Sequence, residues 1–109
     1  MANTFKNAYL DAGTSNSDII GAIASSTTAI VMSLRATNVD GTNDATIDVE
    51  VVDGSSGQSY IAKGMTVPAG SSVELAGSSK LVLETTDKIQ GLASATSDIE
   101  FFASYVEIT

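Results

Sequence analysis

The stretch Thr28-Ala-Ile-Val-Met-Ser-Leu-Arg-Ala-Thr-Asn38 constrains the fold more than any other part of the chain. Ile30, Met32, Leu34 and Ala36 alternate with Ser33, Arg35 and Thr37. Strand side chains alternate faces with period two, whereas a helix repeats about every 3.6 residues, so this segment predicts a half-buried strand. Val39-Asp-Gly-Thr-Asn-Asp44 follows, with Asp40-Gly41 as a turn signal. Ala45, Ile47, Val49 and Val51 then alternate with Thr46, Asp48 and Glu50. Two such runs around a short Gly/Asn/Asp loop predict a β-hairpin. Its inward set would be Ile30, Met32, Leu34, Ile47, Val49 and Val51.

Shorter units of the same kind continue to the end. Turns at Asp53–Gly57, Val67–Gly70, Gly77–Lys80 and Thr86-Asp87 separate strands at Ser59–Lys63, Ser72–Ala76, Leu81–Glu84 and Lys88–Ser94. Ile99–Ile108 closes the series. Upstream, Thr4–Leu10 and Asp18–Ile23 read as strands around the polar loop Gly13–Ser17, although Asp18–Ala24 also admits a helical turn. Eight or nine short strands with regular turns predict an all-β chain, a two-sheet antiparallel β-sandwich of jelly-roll or Ig-like type. The 109 residues suit one domain, 1–109, in which the polar segment 1–16 could extend as an N-terminal arm across a neighbour.

Composition removes most chemistries. The chain has no Cys, His or Trp, which excludes disulfides, thiolate nucleophiles, His-based triads and the usual nitrogen and sulfur ligands of zinc. Five Lys and Arg stand against thirteen Asp and Glu, a formal charge of −8. Nucleic acid and anionic membranes would repel such a surface, so neither is expected as a partner. No apolar run follows Lys6, so no secretory signal is expected, and no segment reaches the roughly 18 apolar residues of a membrane helix.

The remaining clusters read as structure. Asp40-Gly-Thr-Asn-Asp44 gathers oxygen ligands without the spacing of a calcium loop, and turn chemistry explains it. Asp48 and Glu50 share a strand face but lack the aromatic platforms of a sugar cleft, which predicts a solvated face. Gly54–Gly57 and Gly77–Lys80 lack the form of a phosphate loop, and nothing places Lys63 or Lys80 beside a particular hydroxyl. No catalytic, metal or cofactor site is expected. Phe101-Phe102 differs, because adjacent strand residues face opposite ways, so one Phe can enter the core while the other points out. An outward aromatic patch drawn from Phe5, Tyr9, Phe101, Phe102 and Tyr105 is the candidate interface.

Three stretches together carry a resemblance: Thr27–Thr42, Ile61–Leu75, and Lys80–Ile89 running on to Ala103–Thr109. They resemble small tailed-bacteriophage virion proteins found on or near the head shell and neck. The resemblance implies a non-enzymatic structural protein of the virion, made in the host cytoplasm and placed on the head surface or neck. Its leading form is a capsid decoration (cement) protein that binds the major capsid protein and stabilises the shell as a homo-oligomer, a trimer ahead of a dimer. A neck, collar or tail component is the alternative, and a receptor- or carbohydrate-binding module is the alternative outside that class.

Overall fold

The computed structural model describes residues 2–109. Nine strands form two antiparallel sheets, with no helix among the described residues. They are β1 (Asn3–Asp11), β2 (Ser17–Ile20), β3 (Thr28–Asn38), β4 (Ala45–Val52), β5 (Gln58–Val67), β6 (Ser72–Glu74), β7 (Leu81–Leu83), β8 (Lys88–Ala93) and β9 (Ile99–Ile108). One sheet runs β1-β9-β3-β6, with β7 also paired to β3, and the other runs β2-β8-β4-β5. The architecture is a β-sandwich. Asp18, where a helical turn was admissible, lies in β2, and Asn3–Asp11 forms β1, paired with β9 at the edge of the sheet.

The predicted hairpin does not form. β3 pairs with β9, β6 and β7, whereas β4 pairs with β5 and β8 in the opposite sheet. Residues 39–44 therefore step across the roughly 10 Å between stacked sheets instead of reversing the chain within one. Asn38, buried at this crossing, holds it. Its Nδ2 donates to the carbonyls of Asn43 at 2.9 Å and Val67 at 3.0 Å, while its Oδ1 accepts the Asp40 N–H at 2.9 Å. Asp40-Gly41 marked a turn correctly, but turn residues do not say which strands pair. Among strands adjacent in sequence, β4 and β5 are the ones that pair, around Asp53–Gly57.

Leu34, Ala36, Ile47 and Val49 are fully buried, as their alternation predicts, and Val51 packs half-buried against them. Ile30 and Met32 are not in the core. The β3–β9 ladder shifts register between Val31 and Ser33, leaving Met32 without a partner. Such a bulge inserts one residue and inverts the facing of everything before it. Ala29 and Val31 thus take the inward positions instead.

Glu74 lies beside the bulge, on the opposite edge of β3. β6 covers β3 at Arg35–Thr37 and β7 covers it at Ala29–Val31, leaving a gap between them. The Glu74 carboxylate fills that gap, accepting the Ser33 hydroxyl at 2.6 Å, the Leu34 N–H at 2.7 Å and the Ala76 N–H at 3.1 Å. Burial pushes its pKa up, but these hydrogen bonds and the Arg35 charge outweigh that effect and hold it below the ordinary carboxylate value.

Candidate assembly surface

The clusters that suggested chemistry are consumed by the fold. Asp40 accepts the N–H groups of Thr42 and Asn43, and the Thr42 contact foremost lowers its pKa. Asp48 accepts the Gly64 N–H at 2.7 Å and pairs with Lys63 at 3.1 Å, which lowers the carboxyl and raises the amine. Glu50, expected on a solvated face beside Asp48, is buried. Its Oε1 accepts from Asn16 Nδ2 at 3.2 Å, and its Oε2 has no hydrogen-bond partner among the described residues. Lys80 closes its own turn on the Gly77 carbonyl at 3.1 Å.

An open depression lies among Val51, Asp53, Gly57, Gln58, Ser59, Glu84 and Asp87. Two of its carboxylates are engaged by the backbone: Asp53 accepts from Ser55 and Gly57, and Asp87 accepts from Glu84. Its lining has no aromatic ring on which a sugar could stack. Among the described residues no three His, Cys, Asp or Glu side chains converge as metal ligands.

What the surface does present is a cluster of exposed aromatics. Phe101 is fully buried and Phe102 is 40% exposed, so the adjacent pair divides between the faces of β9. Tyr9 stands directly opposite Phe102 across the β1–β9 ladder and is 78% exposed. Phe5, 72% exposed, lies on the same face of β1. The sheet thus brings Phe5, Tyr9 and Phe102 together, while Phe101 and Tyr105, named with them as interface candidates, belong to the core cluster.

Register extends the patch into rows. Phe5 pairs with Val106, Val106 with Ile30, and Ile30 with the exposed Val82, one apolar row across β1, β9, β3 and β7. Tyr9, Phe102, Arg35 and Glu74 form a second row, and Asn7, Ser104 and Ser33 lie between. Val106 is buried and Ile30 half-buried within the first row, and Val82 is its exposed end. Their row exists only once the register places those strands side by side.

No family model matches the sequence, and no curated protein matches it. Among solved structures, the fold is similar to a subunit of the disulfide-linked pili of Bacillus endospore appendages, with a TM-score of 0.57 and 15% identity over 99% of this chain and 87% of that one. A pentameric capsid protein from metagenomic phage sequences aligns at a TM-score of 0.48 and 15% identity, over 91% of this chain and 59% of that one. The VP2 protein of infectious bursal disease virus aligns at 0.47 and 14%, over 94% of this chain and 29% of that one. At 15% identity the likeness to the pilus protein is one of fold alone.

Proposed function

We propose that this chain is a non-enzymatic structural subunit of a phage virion, a decoration protein that binds the major capsid protein through the outer face of its five-stranded sheet. The observation that carries this reading is the aromatic cluster of Phe5, Tyr9 and Phe102 on an otherwise acidic, polar surface. Large exposed aromatics side by side are costly in water and mark contact surfaces. The resemblance of Thr27–Thr42, Ile61–Leu75, and Lys80–Ile89 with Ala103–Thr109 to tailed-phage head and neck proteins supplies the shell as the partner. Copies would also meet one another, as a trimer if that resemblance carries over. The pili to which the protein of similar fold belongs are disulfide-linked, whereas this chain has no Cys, so its own contacts would form without disulfides.

Imaging and quantitative mass spectrometry of purified particles test this. A copy number comparable with that of the major shell protein, with density on the outer head, is the expected result. A few copies at the neck or collar would select the alternative structural role. Absence from every particle, or glycan binding by the pure protein, would overturn the reading.

A further inference from the structure

The sandwich has four kinds of sheet edge, and three are protected. β2 is four residues long and its ladder shifts register between Asp18 and Ile20. β5 carries two register shifts against β4, with Gly64 at a φ of +61°. β6 and β7 are three residues each, interrupted by the gap that Glu74 fills. Short strands and bulges are how proteins prevent a sheet from recruiting another chain. β1 is neither short nor bulged, and the one charge at its middle, Lys6, is paired with Glu107 of its own chain. Its nine residues pair with β9 from Asn3 to Asp11 without a shift, and it contains no Pro.

The ladder also says which groups the open edge offers. Ala2 and Thr109 exchange both N–H and carbonyl bonds, and the Ala12 N–H donates to Ile99. Residues of an antiparallel pair alternate between bonded inward and bonded outward. Thr4, Lys6, Ala8 and Leu10 therefore bond to β9, and Asn3, Phe5, Asn7, Tyr9 and Asp11 present their N–H and C=O groups away from the sheet. The side chains of Phe5, Asn7 and Tyr9 stand on its outer face.

We infer that β1 pairs antiparallel with β1 of a second copy across a two-fold axis at Asn7, joining two five-stranded sheets into one. This rests on the self-assembly part of the reading above and replaces its trimer with a two-fold contact. The register that uses all of β1 sets Asn7 against itself, Asn3 against the partner copy's Asp11, and Phe5 against the partner copy's Tyr9. Both exposed aromatics then gain a cross-strand neighbour of the kind that stabilises sheets. The rows become continuous: Phe102, Tyr9, and the partner copy's Phe5, Val106, Ile30 and Val82. Charge favours the same occupant. Within an acidic chain, β1 has one Lys and one Asp, and the register sets no like charges directly opposite. Lys6, which would lie diagonal to its own copy, is neutralised by Glu107 at 3.1 Å.

The test is the mass of the intact protein by light scattering, with unfolding followed by circular dichroism. The wild type should show twice the 11.1 kDa chain mass. Asn7→Pro removes an N–H that β9 does not use, so it should give a folded monomer. Phe5→Glu with Tyr9→Glu places like charges at the paired positions and should also give a monomer. Phe5→Lys with Tyr9→Glu places opposite charges there and should restore the dimer, which decides the matter even if the proline variant fails to fold. A wild type that stays monomeric to millimolar concentration, a trimer, or a dimer indifferent to the charge pattern would overturn the inference. A monomer still found on capsids would sink this contact and leave the decoration role standing. A dimer absent from every particle would do the reverse.

Discussion

Phe101 and Phe102 are neighbours of one residue type on one strand, and they do opposite work. Phe101 lies in the core between the sheets, where Gly91 leaves room for its ring, since a Cβ there would come within 3.0 Å of it. Phe102 lies on the outer face, opposite Tyr9 on one side and Arg35 on the other. The inner face of this sheet is closed by the second sheet, so its apolar side chains are spent on folding. No described residue covers the outer face at Phe5 and Tyr9. Apolar surface left there is free to act between molecules.

That contrast is breakable by substitution. Phe101→Ala should cost about 3–5 kcal/mol in denaturant unfolding, because a ring is lost from a site with little freedom to collapse. A cost below about 1 kcal/mol would mean that the inner face is not close-packed. Gly91→Ala adds a methyl 2.8 Å from Ile19 Cδ1 and close to the Phe101 ring, and overpacking of this kind should cost about 1–3 kcal/mol in the same assay.

Glu74→Ala should cost about 1–2 kcal/mol at neutral pH, because it orphans the Leu34 N–H at the bulge, with the value held down by the partial exposure of the carboxylate. A carboxyl whose folded pKa is lowered stabilises the protein above its unfolded value, near 4.5, and loses that contribution as pH falls through the folded value. The gap between wild type and variant should therefore close as pH drops below 4.5 in a series of melts. A gap that widens in acid would contradict the role given to Glu74.

Phe102→Ser should change monomer stability least, by under about 1 kcal/mol, while weakening self-association at the same protein concentration. If it instead destabilised the fold as Phe101→Ala does, the two faces would not be functionally distinct.

Much of this was legible in the residues, and the rest failed for definable reasons. Period-two alternation located β3 and β9 to the residue and β4 nearly so, because hydrophobic patterning is a local signal. It could not say that β3 and β4 lie in different sheets, since strand pairing is a non-local property and Asp40-Gly41 suits a crossover as well as a hairpin. The inward placement of Ile30 and Met32 failed at a bulge in the β3–β9 ladder, and the Glu74 carboxylate that bonds Leu34 beside it is forty residues downstream. Parity said that Phe101 and Phe102 face opposite ways but not which of them enters the core, and both stood among the interface candidates. The candidate surface was half visible: Phe5, Tyr9 and Phe102 stood out as aromatics, but Val106, Ile30 and Val82 needed the ladder that aligns them. The burial of Glu50 had no signal at all in a strand that otherwise alternates cleanly.

The most direct test of the account is amide hydrogen exchange along β1, followed residue by residue at low and high protein concentration. Thr4, Lys6, Ala8 and Leu10 should be protected at both, because β9 accepts their N–H groups within the chain. Phe5, Asn7, Tyr9 and Asp11 should exchange freely when dilute and become protected as copies associate, since a second strand then takes up the open edge. Association that leaves those outward amides exchanging freely would place the contact elsewhere and contradict the account.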